Sequence, residues 1–455
     1  MSGTKKERIP LIGLPGMTHE GKLAMISQFL GFGMDAYDMG LVIILAPVLT
    51  HVFVPPSKAG LAWQYVMILL TYSITMAARP FGSAFFGHYA DKFGRRRIFL
   101  ITMAGVGIVA GVTAFLPTYA EIGIWAWVLF ALMRFLMGFI FGGEYAVGHT
   151  FAMELCPKDI RGRVGGIIQS GFPFGYMLNA FVFAAFSAVM SEEAMIAVGW
   201  RYVFLTGLIP VFIALVIRRM LPESPMYKLA KEKGELEKHP FLSLFKPPTL
   251  WTFLIILVFM SGLFIRDYTV YSYIPDILTL KGRGFDYTTY SLIYGFSLFI
   301  TVLGYIFYGW LSDYIGRRKL TILWNIYILI IGIPAYYLLY IAALSHIIGL
   351  ALLATIIVCS LKFTWGMLPA WLAENFPTKR RSSGVGFGYS GGVFVGAWYS
   401  IYTWWVHSIP QIQAIEGEVQ WLSPAIVGII GAVMCIIAIL FVPERKGVDL
   451  AEIKE

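Results

Sequence analysis

Charged residues are scarce in this chain. Only 13% of its 455 residues are Asp, Glu, Lys or Arg, whereas soluble domains contain about a quarter. Hydrophobic residues make up 58% of the sequence. This balance excludes an intrinsically disordered protein and an ordinary water-soluble domain with a polar exterior. It predicts a protein that crosses a membrane several times.

Cysteines and metal-binding patterns are also scarce. The three cysteines, Cys156, Cys359 and Cys435, lack metal-ligand spacing, and no H-E-x-x-H sequence occurs. The stretch GFGMD at 31–35 comes close to the G-x-G-D of membrane aspartyl proteases. Its Asp stands one residue late, however, and no second aspartyl motif accompanies it. We therefore expect no disulfide framework, no metal, no cofactor and no enzymatic activity.

Apolar runs fill most of the remaining sequence. A helix needs about 20 apolar residues to cross a hydrocarbon core roughly 30 Å thick, and twelve runs approach or exceed that length. A membrane β-barrel would instead show alternating segments of about ten residues. The sequence thus predicts an all-α membrane protein with twelve transmembrane helices. The runs lie at 23–53, 62–87, 98–116, 123–152, 163–187, 198–218, 249–279, 287–310, 320–342, 347–373, 384–407 and 422–442.

Lysine and arginine are distributed unevenly between the loops. If the N-terminus is cytoplasmic, the inner segments hold 27 of the 35 basic residues, and the outer loops hold only Lys58, Arg201, Lys281 and Arg283. The positive-inside rule then predicts that both termini are cytoplasmic. The net charge of +9 is largely this orientation signal, so it predicts contact with membrane lipid and gives no reason to expect nucleic-acid binding.

The cytoplasmic loops of the two halves repeat one another. Three pairs of loop sequences match at offsets of 220 to 222 residues. A repeat at one spacing predicts two similar six-helix halves. The pairs are Gly87-HYADKFGRR-Arg97 with Gly309-WLSDYIGRR-Lys319, Glu154-LCPKDI-Arg161 with Glu374-NFPTKR-Arg381, and Pro222-Glu223-Ser224 with Pro443-Glu444-Arg445.

The D-x-x-G-R-R pattern at 91–96 and 313–318 resembles the major facilitator superfamily of secondary transporters, and the resemblance covers essentially the whole chain. It implies two pseudo-symmetric bundles, 1–217 and 249–455, joined by a cytoplasmic loop at 218–248. It also implies alternating access, with helices one, four, seven and ten lining a central cavity.

The same resemblance implies that the repeated loop charges form a cytoplasmic gating latch, which must break when the inner side opens. Charges that merely set the orientation of the helices are the alternative. Arg79, which directly precedes Pro80, is assigned a structural or coupling role beside the latch, and contact with the ligand is the alternative. The gating residues are Arg79, Asp91, Gly94, Arg95, Arg96, Glu154, Arg161, Asp313, Gly316, Arg317, Arg318, Glu374 and Arg381.

A narrower resemblance lies in the first half. The stretches DAYD (35–38), ARPFGSAFFGHYADKFGRR (78–96) and RFLMGFIFGGEYAVG (134–148) are similar to the metabolite:proton and sialate/lactate:proton symporter branches. The resemblance implies a proton-coupled symporter for a small organic anion, typically a carboxylate, although some members carry zwitterions. We expect it to work in the plasma membrane, as a monomer.

Other resemblances leave alternatives open. DAYD and GGEY also resemble proton-coupled phosphate transporters, and PESP (222–225) and PERKG (443–447) resemble sugar porters. The sugar-porter pattern is absent from the seventh run, which reads SGLFIRDYTVYSYIP (261–275). Phosphate:proton and sugar:proton symport are therefore the alternatives. A membrane sensor is the non-transport alternative, although 218–248 leaves little room for an output domain.

Four of the acidic residues inside the apolar runs are candidates for proton coupling: Asp35, Asp38, Glu144 and Asp267. An ionised side chain at the bilayer centre costs from about 2.5 to more than 10 kcal/mol, so such residues are functional candidates. Asp35 and Asp38 share a helix face, and like charges in a poorly hydrated place favour proton binding by one of them. We predict that these acids couple transport to protons. A permanent ion pair with an arginine such as Arg134 is the alternative.

Three basic residues, Arg134, Arg266 and Lys362, also lie in the apolar runs. A guanidinium binds carboxylate or phosphate through two parallel hydrogen bonds, and an ammonium binds it as a point charge. We predict that they bind the substrate; ion pairs between helices are the alternative. Trp398 and Tyr402 share a helix face and could stack on an unsaturated or ring substrate. The polar and aromatic residues predicted to complete the site are Gln169, Asn179, Tyr145, Tyr271, Trp398 and Tyr402.

Overall fold

The structure is a computed structural model that describes residues 13–55, 60–220, 223–234, 238–247, 249–280, 284–285, 287–417 and 419–453. Lys58, Lys281 and Arg283 of the outer loops and Pro222 of the repeat lie outside the described residues. Within these ranges every regular element is helical, as the apolar runs predict. Twelve spans, numbered in chain order, follow the predicted runs and extend several of them by a few residues.

Spans 1 to 6 form the N-terminal half. They are His19–Ile44 with Ala46–Phe53 (span 1), Gly60–Phe93 (span 2), Arg95–Ala114 (span 3), Trp125–Glu154 (span 4), Lys158–Val189 (span 5) and Met195–Met220 (span 6).

Spans 7 to 12 form the C-terminal half. They are Thr249–Thr279 (span 7), Tyr287–Ile315 (span 8), Arg317–Ser345 (span 9), Ile348–Ser360 with Phe363–Ala373 (span 10), Arg381–Gly391 with Val393–Gly396 and Tyr399–His407 (span 11), and Leu422–Leu440 (span 12). Short helices Pro225–Glu232 and Pro240–Ser243 lie in the segment between the halves.

Several spans depart from a regular α-helix near the middle of the molecule. Span 4 contains a π-helical turn, Tyr145–His149, and span 10 bends by 43° at the break after Ser360. Eight spans in the described ranges are unbroken helices long and apolar enough to cross a membrane, and the bent span 10 makes a ninth. Spans 1 and 11 are interrupted, so the sequence pattern is needed to identify all twelve.

Glycine allows the closest helix contacts. A side chain at Gly138 or Gly142 of span 4 would meet the backbone carbonyls of Thr75 and Arg79 in span 2. The two helices therefore approach at backbone distance, as small residues permit in membranes. Gly166 of span 5 lies in the same way against the Tyr305 carbonyl of span 8, which brings the two halves together.

The buried core closes the side of the molecule that carries the loops 87–97 and 154–161. One apolar cluster joins Phe151 and Ile168 of the N-terminal half to Ala370 and Ala373 of span 10. Separate clusters fill the outer part of the N-terminal half and most of the C-terminal half. The halves are therefore packed together on the side of these loops.

Candidate functional site

A cavity lies between the halves near the middle of the spans. It contains about 330 Å³ of space not filled by atoms. Spans 1, 2 and 5 border it from one half, and spans 7, 8, 10 and 11 from the other. Most of its lining is aromatic. The lining residues are Phe32, Met39, Met76, Arg79, Gln169, Phe172, Phe264, Asp267, Tyr268, Tyr305, Trp365 and Tyr389.

Span 4 contributes none of these lining residues, although the resemblance places it at the centre. Two of its charged side chains face helices of their own half instead. Arg134 and Glu144 are fully buried there and are paired with Asp38 and Arg218, as described below. The expectation that helices one, four, seven and ten line the cavity is therefore met by three of the four.

Asp35 and Arg79 form an ion pair at the cavity wall. Both side chains are nearly inaccessible, with 3% and 4% of their surface exposed. Arg79 Nη2 also lies 2.7 Å from Met39 Sδ. The structure thus places Arg79, assigned on sequence to a coupling role beside the latch, in the central cavity next to the acid predicted to carry the proton.

Asp38 lies one turn further along span 1 and is paired with a different arginine. Its Oδ2 accepts a 2.6 Å hydrogen bond from Arg134 Nη1, and Arg134 Nη2 lies 3.3 Å from the Thr113 hydroxyl. This is the ion pair that the sequence left open as the alternative. In this conformation Arg134 is therefore bound to a carboxylate of its own half and lies outside the cavity lining.

Glu144 belongs to a third buried pair. Both of its carboxylate oxygens accept hydrogen bonds from the Arg218 guanidinium, and Thr102 donates to one of them at 3.2 Å. Arg218 also reaches the Ser27 hydroxyl at 3.0 Å. Arg218, predicted as the first residue of the connecting loop, thus lies in the last turns of span 6 and ties spans 1, 4 and 6 together.

The C-terminal half carries charges without matched partners. Asp267 Oδ1 and Lys362 Nζ have no hydrogen-bond partner, although each lies within electrostatic reach of the other. Lys362 Nζ is 3.0 Å from the centre of the Tyr271 ring, a cation–π contact. Arg266 instead donates to Asn325 Oδ1 at 2.8 Å and lies outside the cavity lining.

The predicted polar neighbours divide into two groups. Gln169 borders the cavity, and Tyr145 stacks on the lining residue Tyr389 with ring centres 3.4 Å apart. Tyr271 stacks on Tyr176 at 5.1 Å. Asn179 donates to the Tyr37 carbonyl at 3.1 Å, so it joins span 5 to span 1.

Trp398 and Tyr402 are not among the residues that line the cavity in this conformation, so their stacking on substrate stays a prediction without support from this cavity. Trp398 is 55% exposed and donates to the Phe394 carbonyl. The Tyr402 hydroxyl donates to the Val395 carbonyl. Span 11 is interrupted at Gly392 and again before Tyr399. These breaks could not be read from helical spacing.

Sequence reasoning missed most of the aromatic lining. Trp365 lies in the 3₁₀ turn Phe363–Met367 at the bend of span 10, and Tyr389 lies in the glycine-rich start of span 11. Aromatic residues are common in membrane spans, so nothing in their spacing marked these two. The bend itself is the only local signal, and it is visible only in the structure.

The predicted latch consists of two networks, and the one around Asp91 joins the N-terminal half of the protein to the C-terminal half. Asp91 accepts hydrogen bonds from the Ser382 and Ser383 amides at 3.2 and 2.8 Å, at the start of span 11. Arg95 lies 3.1 Å from Asp91 and 3.5 Å from Glu154. Glu154 also pairs with Arg381 of the other half at 2.8 Å. A carboxylate at a helix N-terminus is favourably placed for its free amides.

The second latch network, around Asp313, repeats this arrangement. Asp313 accepts from the Gly162 and Arg163 amides, each at 2.8 Å, at the start of span 5. Arg317 pairs with Asp313 at 2.8 Å and with Glu374 at 3.1 Å. Arg161 completes it by pairing with Glu374 across the halves at 3.2 Å. Both networks contain hydrogen bonds between the two halves, so the halves cannot separate here without breaking them.

Four of the predicted gating residues act within one half instead. Gly94 and Gly316 adopt φ values of 107° and 98°, which favour glycine. The amides that follow bind the glutamates of the P-E motifs: Arg96 N lies 3.2 Å from Glu223, and Arg318 N lies 2.9 Å from Glu444. These contacts fix the loops that hold the latch. The repeated glutamates therefore have a structural role.

Asp313→Asn is expected to loosen the cytoplasmic side. Losing charge-assisted hydrogen bonds worth about 1.5–3 kcal/mol each favours separation of the halves. Cys156 reports this event, because it is buried among residues of both halves. With Cys359 and Cys435 replaced by alanine, maleimide should label Cys156 about tenfold faster in the variant, the change that 1.4 kcal/mol produces.

Asp159→Asn is the matched control, because Asp159 is an exposed carboxylate in the neighbouring turn Lys158–Ile160. It should leave the labelling rate of Cys156 unchanged. Equal rates in Asp313→Asn and in the unaltered chain would show that the carboxylate does not hold the halves together.

Comparisons with known proteins agree with this architecture. The family described as Major Facilitator Superfamily matches residues 28–399. The glycine betaine/proline/ectoine/pipecolic acid transporter OusA of Dickeya dadantii is 29% identical, over 99% of this chain and 92% of its own. The proline/betaine transporter of Salmonella typhimurium is 31% identical, over 89% and 82%. The sialic acid transporter NanX of Escherichia coli is 28% identical, over 82% and 84%.

Solved structures show the same fold. The proton:xylose symporter XylE bound to 6-bromo-6-deoxy-D-glucose superimposes with a TM-score of 0.75 at 19% identity, covering 95% of this chain and 98% of its own. The inward-open conformation of XylE gives 0.66 at 20% identity, covering 95% and 99%. This chain therefore belongs to the Major Facilitator Superfamily and is a multi-pass membrane transporter, not an enzyme.

Proposed function

We propose that the chain is a proton-coupled symporter that carries a small carboxylate across the plasma membrane by alternating access. One observation supports this most directly. The cavity brings the Asp35–Arg79 pair of one half to the same space as Asp267 of the other, with Lys362 within electrostatic reach. The proposal includes cytoplasmic termini, a functional monomer, and the halves 1–217 and 249–455 moving about the loop 218–248.

The Asp35–Arg79 pair offers a simple means of coupling. While Asp35 is ionised, it occupies the Arg79 guanidinium. A proton on Asp35 removes its charge, and Arg79 can then bind the substrate carboxylate through two hydrogen bonds. Proton and anion would therefore bind together. Release of the proton inside restores the ion pair and expels the anion.

The names of the similar transporters support a substrate that carries a carboxylate group. Proline, betaine, ectoine, pipecolic acid and sialic acid, the compounds in their names, all carry a carboxylate group. Two cations could hold it: Arg79 borders the cavity, and Lys362, outside the lining, is within electrostatic reach of the lining residue Asp267. Phosphate would need the same cations, and a neutral sugar would not.

The second candidate substrate is a carboxylate that also carries a positive charge, a zwitterion. The cavity lining contains groups that would bind this positive charge, for which a simple anion has no use. Aromatic faces bind quaternary and other ammonium groups through cation–π contacts, and Trp365, Tyr268 and Tyr389 border the cavity. The unpartnered oxygen of Asp267 could receive the same positive group. A betaine-like solute would thus meet cations at one end and aromatic rings with an acid at the other.

The test is uptake by the purified chain in liposomes. Labelled lactate, proline, glycine betaine, phosphate and xylose are supplied with an imposed pH gradient, acidic outside, and without one. We expect gradient-dependent accumulation of at least one of the three carboxylates and alkalinisation of the external medium. Accumulation of phosphate or xylose alone, or uptake that ignores the gradient, would contradict the proposal.

Trp365→Ala is expected to raise the Kd of the accumulated carboxylate about tenfold, since aromatic contacts of this kind contribute roughly 1 kcal/mol or more. Trp398→Ala is the matched control, because its ring lies at the exterior of span 11. It should change Kd by less than twofold. Ligand-induced thermal stabilisation measures both. Equal losses of affinity in the two variants would place the substrate elsewhere.

A further inference from the structure

Two hydrogen-bond donors at the cavity wall point at sulfur atoms. The Tyr268 hydroxyl of span 7 donates to Met76 Sδ of span 2 at 2.9 Å. Arg79 Nη2, besides pairing with Asp35, donates to Met39 Sδ at 2.7 Å. The two donors and the two methionines all border the cavity. A thioether therefore occupies a donor of each half: a guanidinium of the N-terminal half and a hydroxyl of the C-terminal half.

A thioether is a weak hydrogen-bond acceptor. A carboxylate oxygen is a much better one, because hydrogen bonds to an ionised acceptor are roughly twice as strong as those between neutral groups. Within the described part of the chain, Met76 Sδ is the one acceptor found for the Tyr268 hydroxyl. This buried donor is therefore poorly satisfied, and exchanging the sulfur for a carboxylate oxygen stabilises it.

The two methionines can leave these positions at little cost. A methionine side chain is unbranched, has three rotatable bonds and fills irregular spaces. Met39 and Met76 are 2% and 3% exposed, and they border the unfilled space of about 330 Å³. Rotation of either side chain keeps its thioether among the apolar lining residues and frees the donor that it covered.

The Tyr268 ring is held by its neighbours. Phe264 and Tyr399 pack against it with ring centres 5.5 and 5.4 Å away. Tyr399 is fixed in turn by a 2.6 Å hydrogen bond between its hydroxyl and that of Ser272. The position of the Tyr268 hydroxyl is therefore set before a ligand arrives, which lowers the entropic cost of binding.

Arg79 and Tyr268 act on the same part of the cavity. Each lies within electrostatic reach of the other, and they belong to opposite halves. An ionised carboxylate has about four lone-pair sites, so it can accept two hydrogen bonds from the guanidinium and a third from the hydroxyl. A carboxylate bound in this way joins span 2 to span 7 more strongly than the contact between Tyr268 and Met76 does.

We propose that Tyr268 binds the substrate carboxylate through its hydroxyl, together with Arg79, and that Met39 and Met76 cover these two donors until the substrate arrives. Once Asp35 has taken up its proton, the carboxylate displaces both thioethers and bridges the two halves. The bound substrate then stabilises the conformation in which both halves contact it. This role deepens the function proposed above and rests on it.

The experiment compares Tyr268→Phe, Met76→Leu and the unaltered chain by ligand-induced thermal stabilisation. The probe is proline, lactate or glycine betaine, whichever the unaltered chain accumulates in liposomes. Phenylalanine removes the hydroxyl and keeps the ring, so contacts between the ring and a positive group of the substrate survive. Leucine removes the sulfur and keeps most of the apolar volume. Tyr337→Phe is the control, because Tyr337 is 50% exposed on span 9.

Tyr268→Phe should raise the Kd about tenfold, the effect of losing one hydrogen bond to an ionised group. The Tm of the ligand-free protein should stay the same, since only a contact with sulfur is lost. Met76→Leu should lower the Kd about threefold, because the hydroxyl then has no competing acceptor. The number of protons taken up per solute should not change in either variant, because Asp35 is intact. Tyr337→Phe should match the unaltered chain.

Two results would contradict this role. Equal affinity in Tyr268→Phe and the unaltered chain would show that the hydroxyl does not touch the carboxylate. A raised Kd in Met76→Leu would show that the thioether shapes the site and does not give way to the substrate. If the unaltered chain accumulated none of the three carboxylates, the proposed function would fail first, so the two failures are distinguishable.

Discussion

Asp35→Asn is expected to abolish uphill uptake driven by a pH gradient and to leave counterflow exchange of the same solute intact. Asparagine imitates the protonated carboxyl, so Arg79 remains available for the substrate anion at all times. Exchange needs only binding and reorientation, and both persist. Net accumulation needs a group that takes a proton outside and loses it inside, and the variant has lost that group.

Asp38→Asn provides the contrast, because Asp38 lies three residues away and is paired with Arg134 outside the cavity lining. Removing it leaves a guanidinium with no exposed surface without its counter-ion, which costs about 3–5 kcal/mol. We expect a lower Tm in Asp38→Asn, and retained coupling in the protein that folds. The loss of stability is smaller in Asp35→Asn, because Arg79, which loses its counter-ion there, borders a cavity that water can enter.

The measurement is accumulation under an imposed gradient, counterflow under none, and thermal unfolding for each variant. Accumulation by Asp35→Asn at the level of the unaltered chain would remove Asp35 from the coupling step. Loss of coupling in Asp38→Asn at an unchanged Tm would transfer the role to Asp38.

The sequence predicts the fold well, because membrane insertion imposes strong local rules. The length of an apolar run and the basic residues of a loop can each be recognised in a short stretch of sequence. The repeat of Asp91 at Asp313 is recognised by comparing two such stretches. The latch was also predictable, since charges repeated at one spacing indicate the same contact made once by each half. Its partners Ser382 and Ser383 were not, because backbone amides at the start of a helix carry no side-chain signal.

The cavity was predicted less completely, for a physical reason. Periodicity places Arg134 and Arg266 at the right depth in the membrane but does not say which neighbour each one faces. Three-dimensional packing gives both a partner outside the cavity lining, Asp38 and Asn325. It also leaves Trp398 exposed on the exterior of span 11. Depth can be read from sequence, whereas orientation around the helix axis depends on the neighbouring spans.

Lys362→Gln is expected to raise the Kd of the transported carboxylate about 100-fold. Lys362 has no exposed surface and Nζ has no hydrogen-bond partner, so its charge is held by the Tyr271 ring and by the field of Asp267. A buried ammonium group with no carboxylate in contact is stabilised when an anion binds to it. Such a charged hydrogen bond is worth about 1.5–3 kcal/mol, up to about 100-fold.

Two companion variants make the Lys362 result specific. Lys362→Arg retains the positive charge and should recover most of the affinity, and Lys22→Gln, at an exposed position of span 1, should have no effect. Ligand-induced thermal stabilisation and the KM for uptake measure all three. If Lys362→Gln bound the carboxylate as tightly as the unaltered chain, Arg79 would be left as the anion site. In that case the substrate carboxylate would lie against the N-terminal half, and Lys362 would serve to balance the charge of Asp267.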